Sequence, residues 1–314
     1  MAEIKKIATR QSYGDALAAL GEEFPIIVLD ADLSKSTKTD VFKKKFPERF
    51  FNMGIAEANM MSTAAGLASC GKTVFASSFA MFAAGRAFEQ IRNSICYPNL
   101  NVKIGATHAG ISVGEDGATH QCLEDIGIMR TLPNMIIINP ADDVEAKAAV
   151  RAACEHDGPV YLRFGRLGVP VVFDENTYKF EIGKGSVLSD GTDVTLIATG
   201  LLVEMALKAK ELLSNQGISA QVVNIATIKP IDKELIAECA SKTGAVVTCE
   251  EHNIIGGLGS AVAEVLCETT PVPMERIGTK DVFGKSGKPA ELFEEYGLTP
   301  EAIAEAAKKA ISRK

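Results

Sequence analysis

Two histidines, His108 and His120, flank the acidic pair Glu115 and Asp116 in a glycine-rich stretch, residues 105–125. Histidine is the side chain best suited to moving protons near neutral pH. Just before this stretch, residues 101–106 read as a short apolar strand; at its end, residues 123–130 read as a helix. A strand feeding a glycine-rich loop and then a helix is where open α/β sheets place ligand chemistry. Glycines there let the backbone take positive φ and let a substrate approach. The pattern alone also leaves open a surface loop with incidental histidines. Other residue types suit chemistry too. Glu57 opens an otherwise apolar helix, where the helix dipole stabilises a carboxylate, although a helix-start acid needs no task. Phe79 and Phe82 stand three apart on one face of an expected helix, which suits core packing or stacking on a flat ligand. Arg163 and Arg166 lie at the carboxyl end of an expected strand, where either could grip a phosphate or simply meet water.

The elements that position these residues alternate. Expected helices cover residues 9–22, 56–70, 79–95 and 142–155, and expected strands cover 25–33, 50–55, 72–78, 102–106, 135–139 and 159–164, with 34–39 as a polar loop. Such alternation predicts a mainly parallel α/β sheet covered on both faces. Residues around 173–185 are polar and weakly periodic, which reads as an interdomain linker. We therefore expect a first domain over 1–173, a linker over 174–188 and a smaller α/β domain over 189–314. In the second domain, strands are expected at 193–200, 220–225 and 244–251, and helices at 202–215, 232–241, 259–268 and 299–311. The last should be capped by Thr299 with Pro300 in its first turn.

Composition narrows the function. The chain of 314 residues is 46% apolar and 23% charged with net charge −7, and it has no basic block. This argues against nucleic acid and anionic membranes as partners, while a locally positive pocket could still take a small anionic substrate. The start, Met1-Ala-Glu-Ile-Lys-Lys, lacks the apolar core of a signal peptide, and no apolar run approaches the roughly 20 residues that span a bilayer. Seven scattered cysteines without a C-x-x-C pair fit a reducing cytoplasm. The histidines and acids form no i, i+4 metal pair, so no metal held by this chain is expected. Gly256-Gly-Leu-Gly reads as a helix-start turn, and Gly284-Lys-Ser lacks the context of a phosphate loop.

The segment Gly114-Glu-Asp-Gly-Ala-Thr-His-Gln resembles the G-E-D-G-P-T-H-Q loop of transketolases, with Ala118 where proline is usual. Ala8-Thr-Arg, Asp30-Ala-Asp-Leu-Ser-Lys-Ser, Gly54-Ile-Ala-Glu and Ser77-Ser-Phe-Ala-Met-Phe follow the family's order and spacing. The resemblance covers nearly the whole chain and is to the carboxyl-terminal half of a transketolase: a pyrimidine-binding domain and a C-terminal domain. The motif that holds magnesium and the diphosphate of thiamine diphosphate is not found. The resemblance therefore implies the second subunit of a split transketolase, inactive alone, with a separate N-terminal subunit holding the Mg2+. The family would pair two copies of each chain.

The same resemblance implies roles. Glu57 would hydrogen-bond the aminopyrimidine ring and favour the tautomer that activates the thiazolium carbon. Phe79 and Phe82 would stack on that ring; a further tyrosine is common three residues on, where this sequence has Gly85. Asp32 would lie near the cofactor. His120 would transfer protons beside the reacting hydroxyls, and Asp116 would read the C2 hydroxyl. Arg10, Ser36, His108 and Arg166 would grip the sugar phosphate, with Arg166 favoured over Arg163. The reaction implied is transfer of a two-carbon ketol unit from a ketose phosphate to an aldose phosphate. A 1-deoxyxylulose-5-phosphate synthase, a 2-oxoacid dehydrogenase beta subunit and a non-catalytic partner subunit are the alternatives.

Overall fold

The computed structural model describes residues 6–314; the amino-terminal start read above for a signal peptide lies largely outside them. Among the described residues, one sheet sets seven strands in the order Thr227–Lys229, Ile136–Ile138, Val160–Arg163, Val102–Thr107, Val74–Phe79, Ile27–Asp30, Phe50–Asn52. All neighbours run parallel except the first pair. The central strands Val74–Phe79 and Val102–Thr107 are buried at every residue, as a sheet covered on both faces requires.

Two apolar layers enclose this sheet. On one side Tyr13, Leu17 and Leu20 of helix Thr9–Glu23 meet Ala146 and Val150 of helix Asp143–Glu155 over Val28, Phe75 and Leu162. On the other, Met60, Met61 and Ala64 of helix Glu57–Ser69 join Ile126 and Met129 of helix Asp125–Arg130 over Leu29, Ala76 and Ile104. The helix at Asp143 starts where Asp142 accepts from Glu145 N at 2.8 Å while Glu145 accepts from Ala141 N at 2.7 Å, a reciprocal cap that satisfies otherwise orphaned donors.

The second sheet orders Met274–Thr279, Val246–Asn253, Val194–Ala198, Ala220–Asn224 and Ser186–Ser189, with only the last strand antiparallel. Thr299 caps helix Pro300–Ile311 as expected, accepting from Ala302 N at 3.2 Å.

Four sequence expectations change. Residues 34–39 are not all loop: Ser34–Thr37 is a short helix, because buried Asp30 collects Leu33 N at 2.6 Å and the hydroxyls of Thr37 and Thr39 at 2.7 and 2.9 Å. Residues 79–95 are not one helix. Phe79 ends a strand, and the chain then winds in wide π turns over Met81–Arg86 and Ile91–Cys96. The linker expected to end at 188 already enters the second sheet at Ser186. Finally, Thr227–Lys229 is a strand of the first sheet contributed from the second domain. That strand and Met274–Thr279, like helix Pro289–Tyr296, went unexpected.

Candidate active site

The carboxyl ends of adjacent strands gather the aromatic candidates. Phe79, the last residue of its strand, pairs in register with Thr107. His108 follows directly, and its backbone takes the left-handed conformation at φ 56°. This turns the imidazole onto Phe79, with ring centroids 3.9 Å apart. Phe82 stacks 6.0 Å from Phe79, and His120 meets Phe82 edge-on at 5.3 Å. Four rings therefore form one continuous wall of offset and edge-on contacts. The expectation that Phe79 and Phe82 share a helical face is corrected: a strand end and the following π turn bring them together.

Glu57 begins its helix as expected, yet its side chain is only 1% exposed. A buried carboxylate needs a partner, and Arg86 donates to Glu57 Oε2 at 2.8 Å. The same guanidinium lies 4.7 Å over the ring of Phe82. Arg86 was missed in the sequence, because its partner lies 29 residues away. At Gly85, where a side chain would point, the Met81 methyl already lies close.

A cationic basin adjoins the wall. Arg10 Nη1 donates to His108 Nε2 at 2.9 Å and to the Ser36 carbonyl at 3.0 Å. Ser36, a half-buried residue, thus contributes its backbone carbonyl. Arginine only donates, so His108 Nε2 is the acceptor, and Nδ1 carries the proton toward Thr107 Oγ1 at 2.9 Å. Burial first, then the charges of Arg10, Arg166, His120 and Lys38, push the His108 imidazolium down to about 3. His108 is accordingly neutral, and the positive charge beside it comes from Arg10, Arg166 and Lys38. Arg166 is turned toward the loop, donating to the Val113 carbonyl and to Glu115 Oε2 at 3.1 Å.

This depression has a sign that can be measured. The unfolded chain protonates His108 below its ordinary value near 6.5, whereas the fold holds it neutral down to about 3. Between those limits the unfolded state binds the extra proton, so stability falls as pH is lowered, by at most about 1.4 kcal/mol per pH unit. His108→Asn should show a shallower decline in urea midpoints between about pH 7 and pH 4. An identical slope in both proteins would refute the assignment.

The remaining candidates divide. Asp32 is exposed and accepts from Asn52 Nδ2 at 2.8 Å, while the neighbouring buried Asp30 organises the loop. Asp116 is exposed on the same loop as His120; the structure does not join it to the ring wall. Arg163 is 3% exposed and bonded to Asp125 at 2.9 Å, so of the two arginines Arg166 is the one left partly exposed, with its charge acting on His108. Glu250 accepts from Leu258 N and Gly259 N at 2.7 and 2.8 Å, filling the helix start that lies within Gly256-Gly-Leu-Gly. Among the described residues, no group of three or more His, Cys, Asp or Glu side chains could hold a metal ion, and no helix is long and apolar enough to cross a membrane.

Comparison with known proteins matches residues 5–171 to the transketolase pyrimidine-binding domain and residues 183–303 to the transketolase C-terminal domain. The chain belongs to the transketolase family. It is 55% identical over 298 residues to a Methanocaldococcus jannaschii protein described as a putative transketolase C-terminal section, covering 94% of this chain and 93% of that one. It is 44% identical to a 6-deoxy-6-sulfo-D-fructose transketolase subunit of Clostridium sp. (strain MSTE9), covering 97% and 95%. A solved split-gene transketolase, described as an inactive beta4 tetramer, superposes with a TM-score of 0.92 at 58% identity over 98% and 99% of the two chains. Transketolases use thiamine diphosphate with a divalent metal. In this transketolase chain a buried carboxylate beside stacked rings offers a surface that a flat, nitrogen-bearing group can occupy. The Arg86 guanidinium, itself flat and nitrogen-bearing, already bonds Glu57 and lies over Phe82.

Proposed function

We propose that this chain is the second subunit of a split, thiamine-diphosphate-dependent transketolase. It would move a two-carbon ketol unit from a ketose phosphate to an aldose phosphate, in the cytoplasm, with the active site shared with a separate N-terminal subunit that holds the diphosphate and Mg2+. The single observation that carries this is one chain of contacts that links buried Glu57 through Arg86 to the Phe79–Phe82 stack, His120 and the Arg10–His108 pair. The 58%-identical split-gene protein is inactive as a tetramer of beta chains, which supports the need for a second kind of chain. We expect two copies of each subunit.

Phe79 and Phe82 would hold the aminopyrimidine by stacking, and Glu57 would share a proton with its ring nitrogen after Arg86 moves aside. Bound thiamine diphosphate supplies a nucleophilic carbon and an electron sink for carbon–carbon cleavage. His120, on the edge of Phe82, would carry protons to and from the sugar hydroxyls. Its Nδ1 is 2.9 Å from Thr119 Oγ1, which leaves Nε2 for substrate. Asp116 would bond the C2 hydroxyl, and Asp32 would stand beside the cofactor. Arg10, Ser36, Arg166 and neutral His108 would bind the phosphate. On binding, the Arg10 donor now spent on His108 would turn to phosphate oxygens, a charge-assisted bond.

The test is ketol transfer from xylulose 5-phosphate to ribose 5-phosphate with thiamine diphosphate and Mg2+, using this chain alone, then mixed with the chain carrying the diphosphate-binding domain. Transfer only in the mixture supports the proposal. Transfer by this chain alone refutes the shared site, and condensation of pyruvate with glyceraldehyde 3-phosphate without ketol transfer replaces the reading with deoxyxylulose phosphate synthesis. In the active mixture, Arg10→Met should raise KM for a phosphorylated ketose about 10–100-fold, the worth of one or two charge-assisted bonds. An equal loss with an unphosphorylated ketose would remove Arg10 from the phosphate site.

A further inference from the structure

The loop between His108 and His120 is held by its own domain, through Phe164 and Arg166, and also by the second domain. Glu251, at the end of strand Val246–Asn253, is 4% exposed. Its Oε1 accepts from Ser112 N at 2.6 Å, and its own carbonyl accepts from Arg163 Nη2 at 2.9 Å. Gly110 makes room for it: the backbone there has φ 87°, and a Cβ would run into the Glu251 carboxylate. At the far end of the loop, Asn253 N donates to the Leu123 carbonyl at 2.7 Å. Between these anchors, Gln121 Nε2 donates to the carbonyls of Ile111, Gly114 and Lys285 at 3.2, 3.1 and 3.0 Å. Gly117 brings the loop tip against Ser286 closely enough to exclude a side chain. Asp116 and His120 thus stand on a loop that, besides its bonds within the first domain, meets residues more than a hundred positions away in sequence near its start, tip and end.

We propose that the second domain acts as a clamp on this catalytic loop, with Glu251 the positioning residue that sets where Asp116 and His120 stand. Glu251 touches neither wall nor basin and works through the Ser112 amide. Loose placement of reacting groups by even an ångström can cost about a hundredfold in rate, which gives the clamp a catalytic consequence. For catalysis the inference rests on the transketolase reading; for structure it stands on the free chain.

The experiment therefore has two readouts. In the chain alone, hydrogen exchange of residues 110–121 is followed in wild type, Glu251→Ala and Glu251→Gln. Glutamine keeps an oxygen that can accept from Ser112 N, whereas alanine leaves that amide unpaired. Alanine should speed exchange in this loop about tenfold or more while strand Val102–Thr107 stays protected, and glutamine should restore the wild-type rate, as expected from loss of one buried amide bond. Loop exchange within twofold of wild type in the alanine variant overturns the clamp. Should Glu251→Ala loosen the whole chain, Gln121→Met, which keeps volume and loses three bonds, takes its place under the same criteria. In the complex with the partner subunit, Glu251→Ala should lower kcat about tenfold with cofactor affinity unchanged by calorimetry, and Glu251→Gln should restore it. A moved loop with wild-type kcat overturns the catalytic half. No ketol transfer even in wild type would sink the functional reading and leave the clamp standing.

Discussion

Replacing Arg163 by leucine should lower the unfolding free energy by about 3–5 kcal/mol, the usual loss when one member of a buried ion pair is removed. Asp125 is fully buried and accepts from Arg163 Nε and from Tyr161 Oη, both at 2.9 Å. Burial alone would push its carboxyl up, but Arg163 and then His252 more than reverse this and hold it below the ordinary range. Without the guanidinium, Asp125 must stay charged in an apolar setting or take up a proton. Arg163 also ties the Glu251 and Cys122 carbonyls, at 2.9 and 3.4 Å, so the loss reaches both domains. Urea unfolding of the single variant and of Arg163→Leu with Asp125→Asn checks this. The second substitution should recover part of the loss, because it removes the stranded charge. A single variant within 1 kcal/mol of wild type, a value typical of exposed pairs, would show that the pair is energetically idle.

In the assembled enzyme, Glu57→Ala should lower kcat by about 10²–10⁴-fold, the span attributed to a positioned proton-transfer group. The substitution should spare the fold. Arg86, the partner left behind, has a side chain about half exposed and can turn to water, so no buried charge is stranded. Unfolding and ketol-transfer measurements on the same preparation separate the two effects. A loss of activity under tenfold with an intact fold would take Glu57 out of the reaction.

Much of this site was legible because it depends on residue type at short spacing. Glu57 stands at a helix start and His120 in a glycine-rich loop, and both signals survive without any knowledge of packing. Phe79 and Phe82 were paired for the wrong local reason: their stack arises from a strand end and a π turn, which helical spacing happens to mimic. The part Asp30 plays in shaping the loop after its strand was not read, since a sequence does not say which of two acids at a strand end turns inward. Arg86 was overlooked because its task, satisfying a buried carboxylate from twenty-nine residues away, appears only after the helix is placed. Glu251 is further removed still, and its link to Ser112 exists only when both sheets have formed. The parallel sheets followed from alternation, whereas the three-residue strand Thr227–Lys229 is too short to show a period.

That small strand bears on the order in which the molecule is made. During synthesis, strand Ile136–Ile138 emerges long before Thr227–Lys229, the segment that finally lies beside it. Until then the nascent first sheet presents an open edge of unpaired amides and carbonyls, a template for pairing with other chains. Domains usually complete themselves as they leave the ribosome; here the first must wait for part of the second. A ribosome stalled between these two segments would therefore hold a sticky intermediate, and chaperone binding should peak in that interval and fall once residue 229 has cleared the exit tunnel.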